Sequence, residues 1–405
     1  MKLNFVMSIF KNSKNYLRAF LTQFLNFLPF SSNIVGAPRR IITSKEASLI
    51  SISKVEYQKI LDEEVVTEKP PFTIDDTIFF KYSTLYNRKV PEQFILTIKN
   101  GRVWGKGGAI ITDNDMLISD VSKEFGPAKL NLSEHPIFKQ LKLKKAVHYN
   151  CTIAVIVSPG THVYGHWFGD ILPRLLLLKK SGKLDKANKI LISGELNSFQ
   201  EETLNLLEID TNKIISIKAI NQQISANTLL VPSYPNDHGT VNKWVIQIIR
   251  EAFYINLPIR SATIANRIFI SRSKAVGRQL ENEEEVFEYL NKEYGFIKIY
   301  AEDYSLVEKI KLFGSADSVV APHGSGLTNI LFCNKGTKIV DIFPPGDFDT
   351  FFWSMANSCE LNFYYFFGEG ELPTKENDFT SRNTDTLVSM EKFKALMNLV
   401  NLNKL

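Results

Sequence analysis

Apolar positions in the second half of this chain recur with two alternating periods. Short runs at 151–157, 189–192, 214–217 and 228–231 read as buried strands. Between them, 165–180, 200–207 and 243–254 carry apolar residues at helical spacing, the last as a strongly amphipathic helix. After Leu257-Pro258-Ile259 closes this unit, the rhythm starts again. It runs strand 267–271, helix 283–293, strand 296–300, helix 306–313, strand 317–321, a glycine-bearing turn with its helix, and strand 338–342. Asn282, three residues before Glu285, predicts a capping pair where the first of these helices starts. Such β-α-β alternation predicts two successive, largely parallel, buried sheets, in which ligands sit beyond the carboxyl ends of the strands. The rhythm differs between Pro91 and Val121. There 94–98 leads into Lys99-Asn100-Gly101, and 109–111 into Asp113-Asn114-Asp115, which predicts hairpins between short strands.

A chain of 405 residues has room for two domains with full cores and an N-terminal extension. The expected division is a basic, amphipathic segment at 1–40 and a β-rich extension at 41–149. An α/β domain at 150–258, a second at 259–370, and a tail with a helix at 371–405 follow. With 48 basic against 43 acidic residues, the net charge of +5 is too mild for a nucleic-acid partner. Cys151, Cys333 and Cys359 are widely spaced and form no C-x-x-C pair, which suits a reducing, cytoplasmic setting. Near the start, Lys2, Lys11, Lys14 and Arg18 precede a stripe of Leu17, Leu21, Phe24, Leu25 and Leu28. Polar interruptions make it a poor membrane span, and no small-residue cleavage site marks a signal peptide. Two readings remain: a helix packed on its own protein, or an interfacial helix holding the protein at the inner membrane face.

Three segments carry candidate chemistry. In 321–329, a strand ends at His323-Gly324-Ser325-Gly326-Leu327-Thr328-Asn329 and a helix opens. Backbone N–H groups converging at such a turn, with the positive end of the helix dipole, suit a phosphate. The loop after 267–271 carries Arg272, Lys274 and Arg278, whose guanidinium forks match phosphate oxygens. It leaves its sheet at the same edge as the glycine turn. In the first α/β unit, His166 and Asp170 stand four residues apart at a helix start, where a carboxylate can orient an imidazole for general-base work. A bland alternative has the pair merely satisfying each other. His162 extends the spacing and invites a metal reading, although the H-E-x-x-H pattern is missing. Asp237-His238 reads as a surface loop. Asp341, ending a strand beside Phe343-Pro344-Pro345-Gly346-Asp347, lies at the ligand edge, and Phe351, Phe352 and Trp353 read as core.

Taken together, the runs His166 to Arg174 (H-W-x-x-D-x-L-P-R), Arg272 to Glu283 and His323 to Asn329 resemble glycosyltransferase family 61. They occur in the family's order and span roughly 150–345; the first 90 residues carry no such resemblance. Val163 stands where the family pattern often has Asn. The resemblance implies two facing Rossmann-like domains of the GT-B type and an inverting transferase that requires no metal ion or other cofactor. It implies a nucleotide-diphosphate sugar, a UDP-sugar by expectation, held by Arg272, Arg278, Glu283, His323, Gly324, Ser325, Gly326, Leu327 and Thr328. Glu283 would take ribose hydroxyls or orient Arg278. His166 or Asp170 would deprotonate a glycan or lipid-linked acceptor in cell-surface (capsular or exopolysaccharide) biosynthesis. Two other classes stay open: a metal-dependent hydrolase using His162, His166 and Asp170, and a non-catalytic protein that binds nucleotide sugars or glycans.

Overall fold

The computed structural model of the chain describes residues 36–124, 135–140, 142–237, 239–254, 266–372 and 383–405. The basic stripe at 17–28, Leu257-Pro258-Ile259 and His238 lie outside the described residues. Two compact units emerge. Unit 1 takes the described residues of 1–62, 92–162 and 170–234, and unit 2 takes those of 63–91, 163–169 and 235–405. Among the described residues, no helix is long and apolar enough to cross a membrane.

Unit 1 is built on one mixed sheet of ten strands. Ile214–Ile217, Lys189–Ser193, Val147–Val155 and Gln223–Pro232 lie side by side and parallel. Strands from the predicted N-terminal extension continue this sheet: Gln93–Lys99 and Arg102–Trp104 both pair antiparallel with Gln223–Pro232. Ile98, Ile153, Val155, Leu191, Leu229 and Val231 fill one core between these segments. The hairpin at Asp113-Asn114-Asp115 forms, joining Ala109–Ile111 to Met116–Ile118. The one predicted at Lys99-Asn100-Gly101 does not. Thr228 pairs with Lys99 and Ser225 with Arg102, so the chain continues along the same partner past a kink at Asn100 (φ 54°). Asn-Gly supplies left-handed backbone to a bulge as readily as to a tight turn.

Unit 2 holds five parallel strands. Numbered by their order in the chain, Asn266–Ile270, Ile297–Ile299, Ala316–Pro322, Lys338–Phe343 and Asn362–Phe367 stand 2-1-3-4-5 across the sheet. The topology switches between the first and third strands, which puts a ligand crevice at their carboxyl ends. The helix Glu283–Tyr294 forms as expected with Asn282 as its N-cap residue, and Asn282 Nδ2 donates to Glu285 Oε2 at 3.1 Å; no side-chain bond caps the helix backbone, since Oδ1 accepts the Val388 N–H at 3.0 Å. The strongly amphipathic helix Lys243–Tyr254 forms with the expected bounds yet falls in unit 2. There Arg250 donates to the Leu331 and Cys333 carbonyls at 2.7 and 2.6 Å. Residues 63–91 also belong here rather than with the N-terminal extension. Phe72 exchanges backbone bonds with Phe363 and Tyr365, and Trp353 Nε1 donates to the Lys69 carbonyl. Phe352 and Trp353 are core, as expected, and Phe351 is half-buried.

The segment predicted as a helix from 165 is interrupted. Tyr164–His166 is α-helical, Trp167–Ile171 forms a π turn, and Leu172–Lys180 resumes the α-helix. Asp170 therefore does not stand one regular α turn after His166. Pro173 explains part of this: it has no N–H for the Gly169 carbonyl and its ring pushes that carbonyl aside. Asn236 Nδ2 donates to the freed oxygen at 2.7 Å, and Asn236 Oδ1 accepts the Asn242 N–H at 2.9 Å. Asn236→Ala orphans both buried backbone groups. Each lost partner is expected to cost about 1–3 kcal/mol, read as a lower urea midpoint with the slope retained. An unchanged midpoint would show that Asn236 does not support the π turn.

Candidate functional site

The parallel order of unit 2 brings separate loops to one sheet edge. Ser271 and Arg272 follow the first strand, His323 and Gly324 the third, and 344–349 the fourth. Arg272 lies against the Gly324 backbone, so closely that a Cβ on residue 324 would run into its guanidinium. Gly324 has φ 164° and ψ 176°, an extended conformation open to any residue. Close approach, not backbone freedom, is the reason for glycine here. Arg272 Nη2 also donates to the Gly277 carbonyl at 3.2 Å. Burial first, and then the nearby Arg278 charge, pull the Arg272 guanidinium down to about 10. The Nε atoms of Arg272 and Arg278 are both buried with no hydrogen-bond partner among the described residues. Two like charges held together with donors unused make a site suited to an anion.

Backbone donors stand beside this pair. Ser325–Phe332 is a 3₁₀ helix with Gly324 as its N-cap. The Leu327 N–H bonds back to the Gly324 carbonyl at 2.9 Å, whereas Ser325 and Gly326 precede the first intrahelical bond and are partly exposed. Leu327 and Thr328 are fully buried, and Thr328 Oγ1 has no hydrogen-bond partner among the described residues. Gly165 lies over Thr328, where a Cβ would come within 3.3 Å of Oγ1, and Tyr164 donates its hydroxyl to Asn329 Oδ1 at 2.8 Å. His166 thus belongs to the same unit as the anion site, on a helix start seated against the glycine turn. Asp170 begins the next stretch of unit 1.

His323, expected to contact the donor, is enclosed by carboxylates. Its ring is 2% exposed, with Nδ1 at 3.0 Å from Asp341 Oδ2 and Nε2 at 3.4 Å from Asp349 Oδ2. Phe343 stacks on it at 4.4 Å. Both nitrogens are engaged, so the ring serves as a brace between the third and fourth strands. Burial opposes its charge, but Asp341 and then Asp349 outweigh burial and hold the imidazolium up to about 10. Burial likewise pushes the Asp341 carboxyl up against the pull of His323. Asp349, half exposed, is held down to about 2: desolvation opposes this, and the His323 charge prevails.

Glu283 is also spent locally. Its carboxylate accepts the Ser271 hydroxyl at 2.7 Å and the Arg272 N–H at 3.3 Å, and it faces Lys298 at 3.6 Å. It steadies the loop instead of orienting Arg278, whose Nη1 pairs with Asp347 Oδ2 at 3.1 Å. Lys274 turns to Asp303 at 2.6 Å. His162 is exposed in a turn before the helix, and among the described residues no three His, Cys, Asp or Glu side chains gather as metal ligands. The grouping of His162, His166 and Asp170 needed for a metal-dependent hydrolase does not form. Sequence places Asp347 at the ligand edge but reveals neither its pairing with Arg278 nor Asp349, because these partners lie far apart along the chain. Asp237 is exposed, as a surface loop requires.

The imidazolium sets a pH signature. A His raised in the folded state contributes stability that is complete below its ordinary value of 6.5 and is lost as pH climbs through about 10. The melting temperature of the parent should therefore fall more steeply than that of His323→Gln across this window. Parallel profiles would mean that the ring is neutral in the folded protein.

Comparison with known proteins gives one family match. The span 164–340 matches the family model described as Glycosyltransferase 61, and it contains His166, Asp170, Arg272, Arg278, Glu283 and 323–328. No curated protein matches the chain. Among solved structures, the chain is similar to the bacterial iron-containing dodecameric glycosyltransferase TibC from enterotoxigenic E. coli H10407. That similarity is 11% identity over 83% of this chain and 98% of that chain, with a TM-score of 0.31. TibC described as a dodecameric iron-containing heptosyltransferase in complex with ADP-D-beta-D-heptose is 12% identical over 77% and 93%, with a TM-score of 0.31. Likeness at that level carries no weight for fold or site. The family match bears on the enzyme class: this protein is a glycosyltransferase, with residues 164–340 matching glycosyltransferase 61.

Proposed function

We propose that the protein is an inverting, metal-independent glycosyltransferase of the GT-B type that takes a UDP-sugar as donor. The observation that carries this is the Arg272–Arg278 pair at the topological switch point, with both buried Nε groups lacking a partner among the described residues. A diphosphate answers both guanidiniums and the N–H groups of Ser325 and Gly326 at once. These donors stabilise charge as the nucleoside diphosphate departs, the task a metal ion performs elsewhere. The acceptor hydroxyl attacks the anomeric carbon from the face opposite the nucleotide. Its proton passes to His166 or Asp170, the bond to the diphosphate breaks with its electron pair, and the configuration inverts. The family resemblance extends this reading to a glycan or lipid-linked acceptor in cell-surface polysaccharide biosynthesis, at the inner membrane face.

UDP should bind in the presence of chelator, and Arg272→Ala should weaken it by about 1.5–3 kcal/mol, the range for hydrogen bonds to charged groups. Calorimetry that finds the affinity unchanged removes Arg272 from the site. Gly324→Ala should match that loss with the melt retained, because its Cβ displaces the same guanidinium.

His166→Ala and Asp170→Asn should each keep UDP affinity and a cooperative melt. The one that removes the general base should lose ~10²–10⁴-fold in sugar transfer. Near-normal transfer in both variants contradicts the acceptor-side mechanism. UDP binding with neither transfer nor donor hydrolysis by the parent supports the non-catalytic alternative.

A further inference from the structure

We propose that Asp347 is the positioning residue for Arg278, a built-in counter-anion that aims its guanidinium for the donor diphosphate. The inference rests on the nucleotide-sugar reading above and assigns a role that reading leaves open. Arg278 is presented awkwardly. It has φ 55° and follows Gly277 at φ 90°, so two consecutive residues are left-handed. A non-glycine residue held there carries strain that the surroundings must over-determine. Gly277 is locked as well, since a Cβ would run into the Asn383 carbonyl. The backbone therefore fixes where Arg278 begins, but a long side chain retains many rotamers.

Asp347 removes that freedom. Its carboxylate is 7% exposed and bonds Arg278 Nη1 at 3.1 Å. It sits at the end of Pro344-Pro345-Gly346-Asp347, a turn closed by its own N–H to the Pro344 carbonyl at 3.2 Å. Two prolines stiffen this turn, so the carboxylate itself has little freedom left to lose. One corner of the guanidinium is taken, while the buried Nε has no partner among the described residues. An arginine fixed in advance by one corner gives up less entropy when a phosphate takes another edge. The charges of Asp341 and Asp349 also reach Arg278, but these carboxylates pair with His323, and Asp349 also accepts the Phe351 N–H.

Orientation and charge make opposite demands. A carboxylate that aims Arg278 also repels the incoming diphosphate. Asp347→Asn keeps an acceptor oxygen and drops the charge, whereas Asp347→Ala drops both. Full-length parent, both variants, Arg278→Ala and Arg278→Ala/Asp347→Ala are titrated with UDP by calorimetry, and donor KM and kcat are measured. Asp347→Ala should weaken UDP by about tenfold and raise donor KM more than it lowers kcat. Asp347→Asn should bind UDP at least as tightly as the parent, with a melt like that of the parent. In the Arg278→Ala background, Asp347→Ala should change UDP affinity by less than about threefold. Equal losses in the Ala and Asn variants, or an undiminished loss without Arg278, overturn the inference. If Arg272→Ala abolishes UDP binding while Asp347 and Arg278 prove uncoupled, only this inference falls. A parent that binds no UDP removes both readings.

Discussion

The contact between the Arg272 guanidinium and the backbone of Gly324 ties together the two loops that flank the switch point of unit 2. It requires a missing Cβ on one loop and a long, flat cation on the other. Once made, it leaves Arg272 half-buried beside Arg278 with its Nε fully enclosed, a placement that would destabilise the folded chain unless neighbouring groups compensated. The surrounding chemistry can be traced to that demand. Glu283 holds the Ser271 hydroxyl and the Arg272 N–H, the Gly277 carbonyl accepts from Nη2, and Asp347 pairs with Arg278. The buried Nε of each arginine is left without a partner among the described residues, and an anion suits it.

Behind this edge stands a rigid brace. The Asp341–His323–Asp349 chain runs from the buried fourth strand through the end of the third to a half-exposed carboxylate. Stacking on Phe343 and burial keep water from the ring, which strengthens both ion pairs. A charged imidazole here prevents two carboxylates from repelling each other across the loop that carries Gly324. His323 thus fixes the position of the glycine turn that follows it.

Elements governed by local pattern were legible from the chain alone. Parallel strands buried on both faces give uninterrupted apolar runs, so 189–192 and 317–321 lie close to the observed strands, and the half-buried edge strand 214–217 keeps a mostly apolar run. Glycines next to a strand end marked the turn at 324–326, and nearby basic residues marked its partner loop. Features set by distant partners were not legible. Nothing in 63–91 reveals that Phe72 will join the last strand of unit 2, and nothing in 344–349 reveals that Asp349 will meet His323. Asn100-Gly101 shows a different limit, since one dipeptide serves two left-handed backbone devices. The π turn at 167–171 needed both Pro173 and Asn236, residues too far apart in sequence for a periodicity to register.

The central claim is that the Arg272–Arg278 edge holds a diphosphate. An experimental structure of the chain with UDP bound, prepared in chelator, tests it most directly. The account predicts diphosphate oxygens within hydrogen-bond distance of both guanidiniums and of the N–H groups at Ser325 and Gly326, with His323 still between Asp341 and Asp349. UDP bound at another edge of the sheet, or bound here without either arginine touching phosphate, would contradict it.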